Sequence, residues 1–235
     1  MIDDMIEHAE LLISSGENDR ALALYDQVIA SAAPDSFLYS RRGLLRRLSG
    51  DFDGAENDFS AAIKLSPDDA GLYCDRGATL AHRMSTTRNI GATDKSNLLT
   101  EILTDYNASL ERDPSNSNAW LAIIETELLL HEWDAAISHY AQCRAHMWNK
   151  EYSLIRAWLG CLSLCLAGED VNNEDMAPLY NKTIRLNRNA WCVAEIDNLI
   201  DELKSIHDMA GKIYLAMVIH QNFLGHFDEN PIRME

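Results

Sequence analysis

Residues 34–69 read PDSFLYSRRGLLRRLSGDFDGAENDFSAAIKLSPDD. Two helical patterns flank the turn Ser49-Gly50-Asp51. The first carries Tyr39, Gly43 and Leu44, and the second Ala55, Phe59, Ala62, Ile63 and Leu65. Apolar residues returning every three or four positions define one face of a helix. Pro67 lacks the amide proton a helix needs, so it stops the second segment.

Outward from this stretch, the aromatic residue of the second helix serves as a ruler. Tyr25 precedes Phe59 by 34 positions, Phe59 precedes Tyr106 by 47, Tyr106 precedes Tyr140 by 34, and Tyr180 follows 40 later. A small residue stands four positions earlier in Ala21, Ala55 and Ala136, with Ile102 and Met176 as departures. A second ruler runs through the first helices as Ala9, Gly43, Gly77 and Gly160, with Ile124 the exception.

These two rulers together resemble the tetratricopeptide repeat (TPR), a helix–turn–helix unit of about 34 residues with W-x2-L-G-x2-Y, then A-x3-F, then P. The resemblance implies an all-α fold, a TPR-type α-solenoid in which antiparallel helix pairs form a right-handed superhelix. Its first helices would line a concave wall. The expected units are 2–34, 35–69, 70–116, 117–150 and 151–189. In the first unit, Ser15-Gly16 reads as a helix C-cap pair. In the second, Arg42 and Arg46 replace apolar residues of the family pattern, so their stems are expected to cover apolar surface while the heads reach water.

The third unit carries about thirteen extra residues near 84–97, MSTTRNIGATDKSN, whose composition predicts a surface loop. Such a loop either carries function or is a tolerated length variant. After Asn189 the motif ends, and Ile196, Leu199, Ile200, Leu203 and Ile206 mark a one-sided helix. Ala210 to Leu224 is apolar around most of its circumference, which predicts burial. These two segments, 190–225, are expected to cap the solenoid end, and 226–235 is expected to be a flexible tail.

The chain has 20 basic and 37 acidic side chains among 235 residues, a net charge of −17. That field repels phosphate, so neither nucleic acid nor an anionic membrane surface is the expected partner. It either serves solubility or attracts a basic protein. Five cysteines without framework spacing, an acidic N-terminus and no membrane-length apolar run lead to the expectation of a cytoplasmic protein.

Chemistry finds little support. His139, Cys143 and His146 share one helical face at metal-ligand spacing, yet the repeat register puts Cys143 at a small buried position, so no metal is expected. Cys161 and Cys165 read as small buried hydrophobes. No glycine-rich phosphate loop, HExxH, GxSxG or CxxC is present. No catalytic residue and no cofactor are expected. What remains is the wall that the resemblance assigns to the first helices: Phe37, Arg41, Leu44, Arg47, Leu48, His82, Leu121, Glu125 and Trp158. The Lys/Asn carboxylate clamp of chaperone-binding members is missing, since Ile6 and Glu10, Ser40 and Leu44, and Cys74 and Ala78 stand at its positions. The expected function is a non-catalytic protein-interaction module that holds a peptide or helix of a partner. The alternatives are a scaffold self-associating, as in a homodimer, through its apolar C-terminal helix, and an acidic, immunity-type protein that occludes a basic enzyme.

Overall fold

Helix boundaries follow from capping chemistry. Asp35 accepts a hydrogen bond from the Leu38 amide and starts one helix; Asp51 does the same for Gly54, Asp69 for Gly71, and Asn116 for Ala119. Each satisfies an amide that the first helical turn leaves without an intrahelical acceptor. At the other ends, Gly16 and Gly50 adopt φ of 78° and 85°, the left-handed conformation that closes a helix and that glycine enters without a side-chain clash.

The computed structural model describes residues 2–87, 90–145, 149–181, 186, 193–204 and 210–227. Among them are twelve α-helices: α1 (Ile2–Ser14), α2 (Asn18–Ser31), α3 (Ser36–Ser49), α4 (Phe52–Leu65), α5 (Ala70–Thr86), α6 (Ala92–Arg112), α7 (Ser117–Leu129), α8 (Trp133–Gln142), α9 (Lys150–Ala167), α10 (Asn173–Tyr180), α11 (Val193–Leu203) and α12 (Ala210–Leu224). The only β contact in the described residues is an isolated bridge between Leu186 and Phe227. The chain forms two compact units, Met1–Pro114 and Ser115–Glu235.

The first unit is three helix pairs, α1–α2, α3–α4 and α5–α6. In each, a small residue of the first helix faces an aromatic of the second. A Cβ on Gly43 would sit 3.2 Å from the Phe59 ring, and one on Gly77 3.3 Å from Tyr106. Ala9 and Tyr25 join the same core in the first pair. Tyr25 and Phe59 are fully buried, each contributing about 1.5–3 kcal/mol of apolar burial.

Of the expected loop at 84–97, residues 84–86 and 92–97 belong to helices among the described residues. Helix α5 is 17 residues long and α6 is 21, against 14 each for α3 and α4. Polar residues that suggested a loop are accommodated at the end of α5, where Thr86 Oγ1 bonds the carbonyl of His82 and that of Thr87, the C-cap, the carbonyl of Arg83. Side-chain back-bonding of this kind lets Ser and Thr sit within a helix. The insertion therefore lengthens a hairpin.

The arginine expectation is also corrected. Arg42 and Arg46 do not send free heads into water; both bind Asp58, a carboxylate with 4% side-chain exposure. Asp26 receives Arg42 as well, at 2.9 Å.

The second unit pairs α7 with α8 and α9 with α10, and here the register shifts. Tyr140 of α8 lies against Gly160 of α9, where a Cβ would come within 2.2 Å of its ring. Its hydroxyl donates to Asp175 Oδ1 on α10 at 2.8 Å. The last mark of the ruler, Tyr180, is 57% exposed, and Met176 and Leu179 carry the buried face of α10 instead. Ile196, Leu199, Ile200 and Leu203 of α11 are buried as expected, while Ile206 lies outside the described residues. Helix α12 differs from its expectation. It buries Ile213, Ala216, Ile219 and Phe223 but exposes Tyr214, Leu215 and Met217. Beyond it, His226 is buried with Nε2 2.9 Å from the Leu179 carbonyl, so the segment expected to be a loose tail is anchored at its start. The rest of that tail, 228–235, lies outside the described residues.

Candidate protein-binding surface

Helix α3 presents an apolar strip. Phe37 is 50% exposed and Leu48 58%, with Leu44 half-buried between them. Their spacing places all three along one side of a helix. Arg41 and Arg47 flank the strip, and each is answered by a carboxylate on a neighbouring first helix. Arg41 Nε donates to Glu10 of α1 at 2.7 Å, and its Nη2 to the other oxygen. The buried Tyr25 hydroxyl also donates to Glu10. This arrangement holds the Glu10 carboxyl below the usual range, chiefly through Arg41. Burial, reinforced by Glu10, pushes Tyr25 up to about 12. Arg47 reaches Asp75 of α5 at 3.4 Å. Burial raises the Asp75 carboxyl despite that partner. His82 of α5 is exposed, with its ring 5.3 Å from that of Phe52.

The second unit holds the remaining wall candidates, and none of them is open. Leu121 and Trp158 have no exposure and Glu125 has 7%. Trp158 is covered by α12: the Phe223 ring lies parallel at 3.9 Å, and the His220 ring stacks at 5.6 Å. The physical reason is that the C-terminal helices pack on the first helices, α12 on α9 and α11 on α7. Periodicity announces an apolar face but not which element will cover it.

Two members of the histidine–cysteine triplet take other roles. His139 Nδ1 lies 2.8 and 3.0 Å from the two oxygens of the buried Glu127, which raises the imidazole pKa. Cys143 Sγ donates to the Tyr140 carbonyl at 3.3 Å. His146 lies outside the described residues. Among the described residues, no three His, Cys, Asp or Glu side chains are placed to hold a metal ion. Cys143 and Cys165 are pushed up to about 11, and Cys161 to about 12, all by burial, so these thiols stay protonated. No helix among the described residues is long and apolar enough to cross a membrane.

The carboxylate Glu10 was not among the residues expected on the binding wall. Glu10 occupies a clamp position in the sequence, but the arginine it meets lies 31 residues away, beyond any local signal.

No family model matches the chain, and no curated protein does. Solved structures do match. TTC0263, described as a thermophilic TPR protein in Thermus thermophilus, is 14% identical, covers 93% of this chain and all of its own, and gives a TM-score of 0.56. YrrB, described as a TPR protein with an unusual peptide-binding site, is 17% identical over 92% of this chain and 90% of its own, with a TM-score of 0.55. A human IFIT1 dimer with PPP-AAAA is 13% identical over 94% of this chain and 54% of its own, at 0.64. Helix pairing, small-residue–aromatic packing and these neighbours agree that the chain has the tetratricopeptide-repeat fold.

Proposed function

We propose that the chain is a non-catalytic binding module whose first unit takes a segment of another protein across α3. The observation that carries this reading is the open strip of Phe37, Leu44 and Leu48 between two self-paired arginines. Apolar pockets between charged rims are how such surfaces hold peptides and helices. Because Arg41 and Arg47 are already matched by Glu10 and Asp75, affinity comes from the apolar strip, and the ion pairs set its edges. The net charge of −17 makes the favoured segment basic. It also argues against phosphate-rich ligands such as nucleic acid, even though one neighbour of the same fold is seen with PPP-AAAA.

A photo-crosslinking side chain at Phe37 or Leu48 should trap a protein segment, whereas one at Leu65, 45% exposed on α4, should not. Leu44→Glu should abolish that trapping with helical content unchanged. Trapping that is equal at Leu65, or that survives Leu44→Glu, refutes the reading.

The exposed face of α12 favours a second reading, self-association. Tyr214 is 73% exposed and Met217 38%. Sedimentation over a range of concentrations decides it, and a strict monomer ends the idea.

A further inference from the structure

Helix α12 lies on the side of α9 that the repeat register assigns to the ligand-facing wall. Lys212, near its start, bonds the Leu166 carbonyl through Nζ at 3.2 Å, and its own carbonyl receives Cys165 Sγ at 3.0 Å. Near its end, His220 and Phe223 stack on Trp158. As α12 advances, its partners on α9 fall from 166 to 158, so the two helices run antiparallel. The residues facing inward are Ile213, Ala216, Ile219, His220 and Phe223, all buried. This is the arrangement of an apolar helix seated on a helical wall. Outwardly, the same helix shows Tyr214, Leu215 and Met217 to solvent.

His220 sets the condition for that seat. The Trp158 indole Nε1 can only donate, and it donates to His220 Nδ1 at 3.2 Å. The ring proton therefore sits on Nε2, which is 2.9 Å from Asp197 Oδ1 on α11. A second proton has only Nδ1 to occupy, where it would confront the indole N–H inside a buried ring stack. Asp197, the one carboxylate among the described residues acting on the imidazole, is 52% exposed on its side chain and offsets this only in part. Of the other charged groups on elements packed against α12, Asp175 of α10 is engaged by Tyr140, and Arg156 of α9 lies over the Tyr140 ring. Lys212 of α12 itself is held by the Leu166 carbonyl. Burial accordingly lowers the His220 pKa.

We propose that the α9 face around Trp158 is a receptor for an apolar helix of the α12 pattern, closed in the resting chain by α12 itself and opened when His220 is protonated. The fitting ligand places apolar side chains at the spacing of Ile213, Ala216, Ile219 and Phe223, and a hydrogen-bond acceptor three residues before the aromatic. This site is separate from the α3 strip, so Leu44→Glu leaves it intact.

The test uses the full-length chain and a fluorescent peptide of residues 210–224 bearing H220Q, whose amide oxygen accepts from the indole at any pH. The wild-type chain should bind it about tenfold more tightly at pH 5.5 than at pH 7.5, the factor that corresponds to one unit of linked protonation. His220→Gln in the chain should remove the pH dependence, and Phe223→Ala should allow binding at both pH values. Trp158→Ala should prevent binding at both. Equal wild-type binding at the two pH values overturns the latch. Binding undiminished by Trp158→Ala overturns the site. Should Phe223→Ala fail to fold, the wild-type pair still decides.

Discussion

Arg42 grips both oxygens of Asp58, with Nε 2.8 Å from Oδ2 and Nη2 2.6 Å from Oδ1. The next pair repeats the arrangement: Arg76 holds Asp105 at 2.9 and 2.6 Å. In both, the arginine directly precedes the small residue of the first helix, Gly43 or Gly77, and the aspartate directly precedes the aromatic of the second, Phe59 or Tyr106. The ion pair thus adjoins the apolar contact that defines the repeat. Planar two-point geometry makes it directional as well as charged.

Asp58→Ala should cost about 3 kcal/mol, because it removes the buried carboxylate that Arg42 and Arg46 share and leaves them only more exposed partners such as Asp26. Replacing the set with apolar residues, as Arg42→Met, Arg46→Leu and Asp58→Leu together, should recover most of that loss. Urea denaturation of the two variants measures the difference.

Gly160→Ala should destabilise by about 1–3 kcal/mol, the usual cost of overpacking. The added methyl would meet the Tyr140 ring at 2.2 Å, and that overlap exceeds the roughly 1 kcal/mol of helix propensity that alanine brings. Gly43→Ala, at 3.2 Å from Phe59, should cost less. Denaturation midpoints rank the two.

His139 and His220 should give opposite pH slopes. His139, raised by Glu127, stabilises fully below its unfolded value of about 6.5, and the benefit is lost as pH rises through its folded value. His220, lowered by burial, leaves stability intact above about 6.5 and erodes it as pH falls toward the folded value. Stability profiles from pH 5 to 8 should therefore flatten on the alkaline side in Glu127→Gln and on the acid side in His220→Gln.

Arg156→Met should not lower stability and should raise it by about 1 kcal/mol. Its Nε and Nη1 are buried without hydrogen-bond partners, a desolvation cost the thioether escapes. The stacking over the Tyr140 ring at 5.2 Å is the smaller quantity lost. Calorimetry of the variant gives the sign.

Much of this was legible in the chain. Gly43 with Phe59 and Gly77 with Tyr106 announced the hairpins, since a notch and a ring at fixed separation have one way to meet. Gly16 and Pro67 announced helix ends through backbone chemistry alone. The Arg–Asp pairs were visible as recurring Arg-Gly and Asp-aromatic dipeptides, but a single sequence does not show that a charge seeks a partner across the hairpin. Ser and Thr near 84–97 suggested a loop because composition cannot see side-chain back-bonding. Trp158 and Leu121 were placed on the expected wall by register; what covers Trp158, α12, comes from far along the chain, and its apolar pattern does not say where it will pack.

Tyr140 lodges its ring in the next hairpin's notch and ties its hydroxyl to that hairpin's second helix. The α7–α8 and α9–α10 hairpins are consequently welded at their seam, and a copy of either one alone would carry a ring without a socket or a socket without a ring. Evolutionary gain or loss of single repeats should fall among α3–α6, where each hairpin keeps its own ring, while α7–α10 should be inherited as a block.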